Sequence, residues 1–357
     1  MNRRFLTGAL KARNMAFLRL NPLKTHPLLV MKNLLFKRRW TMKNFLLFLM
    51  ISVSLASHAA AEQTIDSQLK IGQSTIHYGV FETIAQGERA GDILYFHGFG
   101  DRFSNHTALF QEFNNAGFRV LAFDLPSHGD STGNLIGSID FQSFKSLSHI
   151  AHELLGTIRP ASDEKPLILA GWSLGGLIAT RILQVEELRA DFPKISGLIL
   201  HAPAFAPQKC VGTSECQITR ETLSHNLAME NREIKPTSPL KHLPFAARML
   251  IDATLSWQPP FPSDLQTLIL IADNDDKYVQ SPLLRKWVGT HRSNYVSRIA
   301  AYQCTGARHE VDNEPAEFGG EFVRGISRDF ARAVARGEQW KESVESMATY
   351  PFPCQAF

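Results

Sequence analysis

The stretch LILAGWSLGG, residues 167–176, decides the fold of this chain. An apolar run leads directly into Gly171-Trp172-Ser173-Leu174-Gly175, and helix-spaced apolar residues follow at 174, 177, 178, 182 and 185. A G-x-S-x-G pattern between a strand and a helix makes a sharp turn that lifts the serine hydroxyl above the sheet edge. The flanking glycines are needed because a Cβ would clash with neighbouring chain. The stretch predicts Ser173 as a nucleophile; a helix-capping serine among packing glycines is the alternative.

Short apolar runs alternate with helical stretches on both sides of this turn. Uninterrupted runs are typical of strands covered on both faces, as in a parallel sheet flanked by helices. A leading hairpin is predicted over Gln68–Glu82, a helix over Leu174–Leu188 and a closing helix over Pro315–Val334. The fold class is therefore α/β, with a mostly parallel central sheet. The predicted strands are Asp92–Phe96, Phe118–Phe123, Pro166–Ala170, Ile195–Leu200, Leu265–Ile271 and Ser297–Tyr302.

One segment, residues 205–263, interrupts the alternation. It holds no clear strand but several prolines and aromatic residues. Because a structureless loop of this length is improbable in a compact domain, we expect short helices near Ser224–Asn231 and Pro244–Leu255. The segment is predicted to be a helical cap inserted into a core formed by residues 62–204 and 264–357.

A serine hydroxyl is a weak nucleophile at neutral pH, so a base must lie near it. In this kind of fold the chain order is serine, acid, histidine. His309 fits the base because it follows the strand Ser297–Tyr302 in the loop Gly306-Ala307-Arg308-His309-Glu310, just before the closing helix.

The acid is expected in the turn Asp273-Asn274-Asp275-Asp276, after the preceding strand. Its duty is to accept a hydrogen bond from the imidazole and to stabilise the imidazolium. Counting forward from the strand end favours Asp275, whereas counting back from Val279 favours Asp276. We take Asp276 as the predicted acid and Asp275 as the alternative.

The oxyanion of a tetrahedral intermediate needs two preorganised N–H donors. One is expected from the backbone of Leu174, directly after the nucleophile. The other is expected from Phe99 in the loop His97-Gly98-Phe99-Gly100, which follows the strand Asp92–Phe96. Read alone, that loop is equally a plain glycine turn.

The charge of the chain is divided unevenly. Residues 1–61 hold eleven Lys or Arg and no acidic residue, so the rest of the chain has 27 basic and 34 acidic residues, a net charge of −7. An acidic folded body argues against a nucleic-acid partner.

The beginning of the chain is typical of a targeting segment. Lys43 precedes an apolar run of 12 residues, Phe45–Ala56, and the small residues Ala59-Ala60-Ala61 follow. We expect cleavage after Ala61 and export to the periplasm or the medium, with residues 1–41 as an upstream extension. A membrane anchor is the alternative for the apolar run, which is shorter than the roughly 20 residues that span a bilayer. A membrane-touching basic arm is the alternative for residues 1–41.

Four cysteines in an exported chain favour disulfides over metal binding or thiol catalysis. The spacing of Cys210 and Cys216 fits a small closed loop, which leaves Cys304 to pair with Cys354. Three connectivities remain open, and buried thiols are the alternative.

Together these motifs resemble the α/β-hydrolases, and within them the lysophospholipase and monoacylglycerol lipase group of the serine aminopeptidase S33 type. The resemblance covers about Asp92 to Phe330. It implies the α/β-hydrolase fold, a helical cap over Ser173, and hydrolysis of lysophospholipid-like or monoacylglycerol-like esters without cofactor or metal. Such a substrate allows transient contact with a membrane surface. The resemblance is carried by His97-Gly98-Phe99-Gly100, Asp124-Leu125-Pro126-Ser127-His128-Gly129-Asp130-Ser131-Thr132-Gly133, Gly171-Trp172-Ser173-Leu174-Gly175-Gly176 and Gly306-Ala307-Arg308-His309-Glu310.

Two other functions are compatible with the same residues. An aminopeptidase would use the same triad on an amide and would need an acidic cap residue for the substrate amine, for which Glu221, Glu230 and Glu233 are available. A non-catalytic protein of this fold would bind a ligand or a partner instead. Fold alone does not choose among them, because function depends on the site.

Overall fold

The computed structural model describes residues 63–83, 87–133, 144–207, 219–227, 243–258, 262, 264–275, 277–294, 298–340 and 353–357. The predicted leader within residues 1–61, Cys210 and Cys216 lie outside these ranges. No helix among the described residues is long and apolar enough to cross a membrane. The described strands are β1 (Gln63–Ile71), β2 (Ser74–Phe81), β3 (Gly91–Phe96), β4 (Phe118–Phe123), β5 (Leu167–Trp172), β6 (Ile195–His201), β7 (Gln266–Ala272), β8 (Arg298–Cys304) and β9 (Cys354–Ala356).

All of these strands join one sheet in the order β1-β2-β4-β3-β5-β6-β7-β8-β9. Strands β3 to β8 pair in parallel, and β1, β2 and β9 add antiparallel pairs at the two edges. The six predicted parallel strands are confirmed within one or two residues at their ends. Strand β9 was not predicted; the disulfide Cys304–Cys354 joins it to the end of β8, which confirms that predicted pairing.

Helices connect the parallel strands. The strand order reverses at β3, so right-handed crossovers place the helix between β3 and β4 on one face and the helices that follow β4, β5 and β7 on the other. The described α-helices are α1 (Thr107–Asn115), α2 (Lys145–Ile158), α3 (Leu174–Gln184), α4 (Glu186–Arg189), α5 (Arg220–Leu223), α6 (Leu243–Leu255), α7 (Ser281–Asn294) and α8 (Gly320–Ala335). Short 3-10 helices cover Phe103–His106, Val311–Asn313 and Ala316–Phe318.

Two helix predictions need correction, and a third, the closing helix predicted from Pro315, begins at Gly320. Among the described residues of the inserted segment, a helix forms over Arg220–Leu223, whereas Ser224 to Leu227 are not helical. The rest of the predicted helix, residues 228–231, lies outside the described residues. The helix Arg220–Leu223 ends because Ser224 has extended backbone, at φ −153° and ψ 157°, and its hydroxyl donates to the Asn313 carbonyl over 3.1 Å. The second error is the predicted helix Leu174–Leu188, which breaks at Val185 into α3 and α4. The helix predicted over Pro244–Leu255 is present as α6.

Candidate active site

Ser173 occupies the tight turn between β5 and α3. Its backbone lies at φ 53° and ψ −115°, in the left-handed range that L-residues avoid. A Cβ on Gly171 would lie 2.5 Å from the carbonyl carbon of Gly175, and one on Gly175 would lie 2.0 Å from the carbonyl oxygen of Phe96. The two glycines are therefore required by close backbone approach, and the strained serine projects from the carboxyl end of the sheet.

His309 lies against the serine. The Ser173 Oγ is 2.8 Å from His309 Nε2, and His309 Nδ1 is 2.6 Å from Asp275 Oδ2. The His309 and Asp275 side chains are only 3% and 2% exposed, so this contact is shielded from water. With Nδ1–H donating to the carboxylate, the Nε2 lone pair is left to accept the serine proton.

The preference for Asp276 was wrong, because the alternative, Asp275, meets the imidazole. Asp275 Oδ1 accepts hydrogen bonds from the Tyr278 and Val279 N–H groups at 3.0 and 3.2 Å, which leaves Oδ2 aimed at His309. Asp276 itself lies outside the described residues. Asp273 accepts instead from the Gly306 N–H at 2.5 Å, so it holds the loop that leads to the base.

Two aromatic residues that sequence reasoning missed support His309. The Trp172 indole N–H donates to the His309 carbonyl over 2.9 Å, and its ring lies 5.2 Å from the imidazole. The Tyr278 ring lies 4.8 Å from the imidazole on a separate segment. Trp172 stands within the G-x-S-x-G motif, but the motif gives no sign that its indole would reach a residue 137 positions away.

The predicted oxyanion loop is held by His97. The His97 Nδ1–H donates to the Gly98 carbonyl over 2.7 Å, and the Leu125 N–H donates to His97 Nε2 over 2.8 Å. Burial lowers the pKa of His97, which keeps this tautomer neutral. Because the trans peptide group is planar, turning the Gly98 carbonyl toward His97 directs the Phe99 N–H to the opposite side. The donor roles of Phe99 and of Leu174, which begins α3, stay predictions.

The Asp124 carboxylate organises the neighbouring loop, Asp124 to Gly133. It accepts the backbone N–H of Asp130 at 2.9 Å and that of Phe103 at 3.1 Å. It also lies 2.8 Å from His77 Nδ1 on β2 and raises the pKa of that histidine. The loop that carried much of the resemblance therefore connects β2, β4 and the segment after the oxyanion loop.

Two groups of described residues bring histidine and carboxylates close enough for a cation, namely His77-Asp124-Asp130 and Asp101-His106-Glu310. In both groups, each ring nitrogen of the histidine already lies within 2.8 Å of a carboxylate oxygen. An imidazole that donates from both nitrogens has no lone pair for a metal. In this arrangement neither histidine offers a free lone pair to a cation, and the expectation of a reaction without metal or cofactor stays a prediction.

Comparison with known proteins agrees with this geometry. A family model described as serine aminopeptidase, S33, matches residues 87–288, more than half of the chain. The chain belongs to this family. It is thus an enzyme of the hydrolase class, and the predicted family is confirmed.

Individual relatives of this S33-family chain are distant. Phospholipase YtpA of Bacillus subtilis is 25% identical over 246 residues, which cover 62% of this chain and 89% of that protein. Putative esterase/lipase 2 of Mycoplasma pneumoniae is 29% identical over 112 residues, which cover 31% of this chain and 37% of that protein. The latter match therefore spans well under half of the mycoplasma protein.

Solved structures show the fold of the S33-family chain. A soluble variant of monoglyceride lipase from Saccharomyces cerevisiae superimposes with a TM-score of 0.62 at 16% identity, covering 77% of this chain and 97% of the other. The monoacylglycerol lipase of Paleococcus ferrophilus gives a TM-score of 0.55 at 20% identity, covering 72% and 99%. The predicted α/β-hydrolase fold is confirmed.

Proposed function

We propose that this S33-family protein is a serine hydrolase that cleaves carboxylic esters through an acyl-enzyme on Ser173. The observation that carries the proposal is the Ser173–His309–Asp275 contact, with heavy-atom distances of 2.8 and 2.6 Å at the carboxyl end of the sheet. A hydroxyl, an imidazole and a carboxylate in this order are the parts of nucleophilic acyl transfer.

The reaction follows from these positions. Ser173 Oγ attacks the ester carbonyl carbon while its proton passes to His309 Nε2, and Asp275 stabilises the imidazolium. The carbonyl oxygen becomes an oxyanion that receives the N–H groups of Phe99 and Leu174. His309 then gives the proton to the leaving alkoxide oxygen as the carbon–oxygen bond breaks. A water molecule repeats the sequence on the acyl-enzyme and releases the carboxylic acid.

We further propose a lipid-like mono-acyl ester, such as a lysophospholipid or a monoacylglycerol, as the substrate, with transient contact at a membrane surface. The names of the relatives support this class, because they include a phospholipase and, among similar structures, two monoacylglycerol lipases. The family description also names an aminopeptidase. Of the three acidic cap candidates for an amine site, Glu221 is described and lies exposed on α5, and Glu230 and Glu233 lie outside the described residues.

The test is hydrolysis of p-nitrophenyl esters of graded acyl length, and of aminoacyl p-nitroanilides, by the oxidised full chain. We expect ester turnover that Ser173→Ala reduces by about a thousandfold or more. Ser293→Ala is the matched control, because Ser293 lies exposed on α7 and donates to the Gly289 carbonyl. Preference for the anilides would replace the esterase by an aminopeptidase. Failure of both turnover and fluorophosphonate labelling of Ser173 would leave a binding protein.

Export is the location that we propose. The leader pattern that ends at Ala61 and the disulfide between Cys304 and Cys354 both suit an oxidising compartment. Amino-terminal sequencing of the mature protein from a bacterial host is expected to begin at Glu62. A start at Met1 or Met42 in a membrane fraction would favour the anchor.

A further inference from the structure

A buried group of three charged side chains lies beside the candidate active site. His106 Nε2–H donates to Asp101 Oδ2 and His106 Nδ1–H donates to Asp312 Oδ2, each over 2.7 Å. The side chains of His106 and Asp312 are 0% exposed and that of Asp101 is 5% exposed. We name Asp101, His106 and Asp312 the buried ion triplet. The acyl-transfer mechanism does not use it.

His106 in this triplet is a fixed cation. A carboxylate offers only acceptors, so an imidazole that contacts one with each nitrogen carries both protons. Burial opposes this charge, but the charges of Asp312 and Asp101 outweigh burial and raise the pKa of His106 to about 10. The His106 charge in turn holds the pKa of both carboxyl groups low, although burial acts in the other direction. Its charge also acts on three buried neighbours, which are His97, His201 and Glu310.

The triplet joins two loops that are distant in sequence. Asp101 lies two residues after Phe99, in the segment of the predicted oxyanion donor, and Asp312 lies three residues after His309. The His106–Asp312 hydrogen bond spans 206 positions of the chain. A second bond runs beside it, from the Asn313 side-chain amide to the Asn105 carbonyl over 3.0 Å. The segment that follows the oxyanion loop is therefore bonded to the segment that follows the base loop.

Trp172 connects the triplet to the reacting groups. Its ring lies 5.5 Å from the His106 ring and 5.2 Å from the His309 ring, and its N–H holds the His309 carbonyl. A Cβ on Gly98 would lie 2.5 Å from the same indole. The indole therefore packs between the oxyanion loop, the His309 ring and the His106 ring. Trp172 also directly precedes the nucleophile Ser173 in the chain.

Burying three charges is costly, and a buried ion group is often no more stable than apolar residues of similar volume. Stability alone therefore does not explain why the triplet stands here. What such a group supplies is directional contact, because each charge loses a large stabilisation if its partner moves.

We propose that His106, held between Asp101 and Asp312, is a positioning residue that keeps the oxyanion loop and the base loop in register around Ser173. The proposal rests on the proposed function, since it assigns His106 a part in the same acyl transfer. His106 does not touch the serine or the substrate. It acts through the two loops and through Trp172.

The test compares His106→Gln and Asp101→Asn with Asp92→Asn in the oxidised full chain. Asp92 is the matched control, because it is equally buried and forms ion pairs with Arg119 and Arg159 at the opposite end of strand β3. The measurements are kcat and KM on a p-nitrophenyl ester per fluorophosphonate-titrated site, the rate of Ser173 labelling, and the melting temperature. Labelling does not need the natural substrate, so it also judges the proposal when turnover is slow.

We expect His106→Gln and Asp101→Asn to lower kcat and the labelling rate by about tenfold to a hundredfold, with KM changed less than about threefold. Asp92→Asn should lower the melting temperature and leave kcat per site within about twofold. Since His106 holds its proton below about pH 10, the kcat ratio of His106→Gln to wild type should be constant from about pH 6 to 9.

Three outcomes would overturn the proposal. If both triplet variants only melt earlier and keep wild-type kcat per site, the triplet is structural. If the kcat ratio changes with pH across that range, His106 takes part in proton transfer. If wild-type protein neither turns over esters nor labels at Ser173, the proposed function fails and this inference fails with it. Should His106→Gln not fold, the nearly isosteric Asp101→Asn decides.

Discussion

Strand β3 has a buried group of ion pairs at each end. One group connects segments that are near in sequence, and the other connects loops that are distant in sequence. At the amino end, Asp92 accepts hydrogen bonds from Arg119 Nε at 2.9 Å and from Arg159 Nη1 at 2.6 Å. These bonds join segments that follow one another within the first half of the chain. At the carboxyl end, His106 joins the loop after β3 to the loop after β8. The carboxyl ends of parallel strands converge on one edge, so loops from distant parts of the chain meet there. We expect the amino-end group to serve stability and the carboxyl-end group to serve activity as well.

The largest expected effect at the carboxyl edge comes from a single carboxylate. Asp275→Asn should lower kcat by about 10³–10⁴-fold, because the amide cannot fix the Nδ1–H tautomer of His309 or stabilise the imidazolium. Asp276→Asn is the matched control and should stay within about threefold of wild type. Steady-state kinetics on one ester suffices. Equal losses in the two variants would mean that the turn places both carboxylates in the site.

The second test separates the two ends of β3 by pH. The folded pKa of His106 is about 10 and the ordinary value is 6.5, so its stabilisation is complete below pH 6.5 and is lost as pH rises toward 10. His106→Gln should therefore flatten the decline of unfolding free energy across that window by at most about 1.4 kcal/mol per pH unit. Asp92→Asn should keep the wild-type slope. Urea unfolding at a series of pH values measures both, and parallel curves for all three proteins would refute the charge assignment.

Below pH 6.5 the unfolding free energy depends on pH in the opposite direction, because other histidines have a lowered pKa. Burial lowers the pKa of His128 and His201 to about 4, so both are neutral in the folded protein. Their contribution to the unfolding free energy is present above pH 6.5. It is lost as pH falls toward 4, because the unfolded protein binds protons there that the folded protein does not. His201→Gln should reduce the loss of stability between those limits.

Removing the disulfide between Cys304 and Cys354 tests whether every contact at the carboxyl edge of the sheet matters for activity. Cys304→Ser with Cys354→Ser should lower the unfolding free energy by about 2–4 kcal/mol, because the bond closes a long loop in the unfolded chain. Since the disulfide fixes β9 to β8 outside the Ser173–His309–Asp275 contact, kcat per active site should fall less than about threefold. A loss of kcat as large as that of His106→Gln would show that the whole edge acts as one unit.

The smallest expected effect in free energy, about 1.4 kcal/mol for a tenfold change in kcat, comes from the loss of one hydrogen bond. Trp172→Phe removes the N–H that holds the His309 carbonyl and should lower kcat by about tenfold. Trp287→Phe is the matched control, because Trp287 is also buried and donates to the Ser256 carbonyl over 3.0 Å. It should destabilise the fold and leave kcat per site unchanged. If the two variants behave alike, the indole of Trp172 is a packing group only.

Much of the architecture followed from local patterns. The apolar runs predicted the parallel strands because a strand buried on both faces needs apolar residues along its length. The glycines around Ser173 predicted the turn, and His309 was found because a base belongs between the last parallel strand and the closing helix. Strand β9 was missed because three residues of sequence carry no strand pattern, and its place depends on a disulfide to Cys304.

The acid shows where local reasoning fails. Asp275 and Asp276 are neighbours in a turn, and counts from its two ends disagreed by one residue. The choice is made by bonds from elsewhere, including the Asn274 N–H to the Ala307 carbonyl at 3.0 Å, which sets the acid turn against the base loop. Such a bond depends on the register of β7 against β8, so it cannot be predicted from the sequence of the turn alone.

The sequence by itself determined the family, the alternation of strands and helices, the turn at Ser173 and the order of nucleophile, acid and base, because each is a short-range pattern that backbone sterics and burial impose. Only the tertiary structure decided that Asp275 rather than Asp276 meets His309 and that His106 stands between Asp101 and Asp312. These contacts join loops that are distant in the chain. Their partners are set by where the strands of the folded sheet end, which no local pattern encodes.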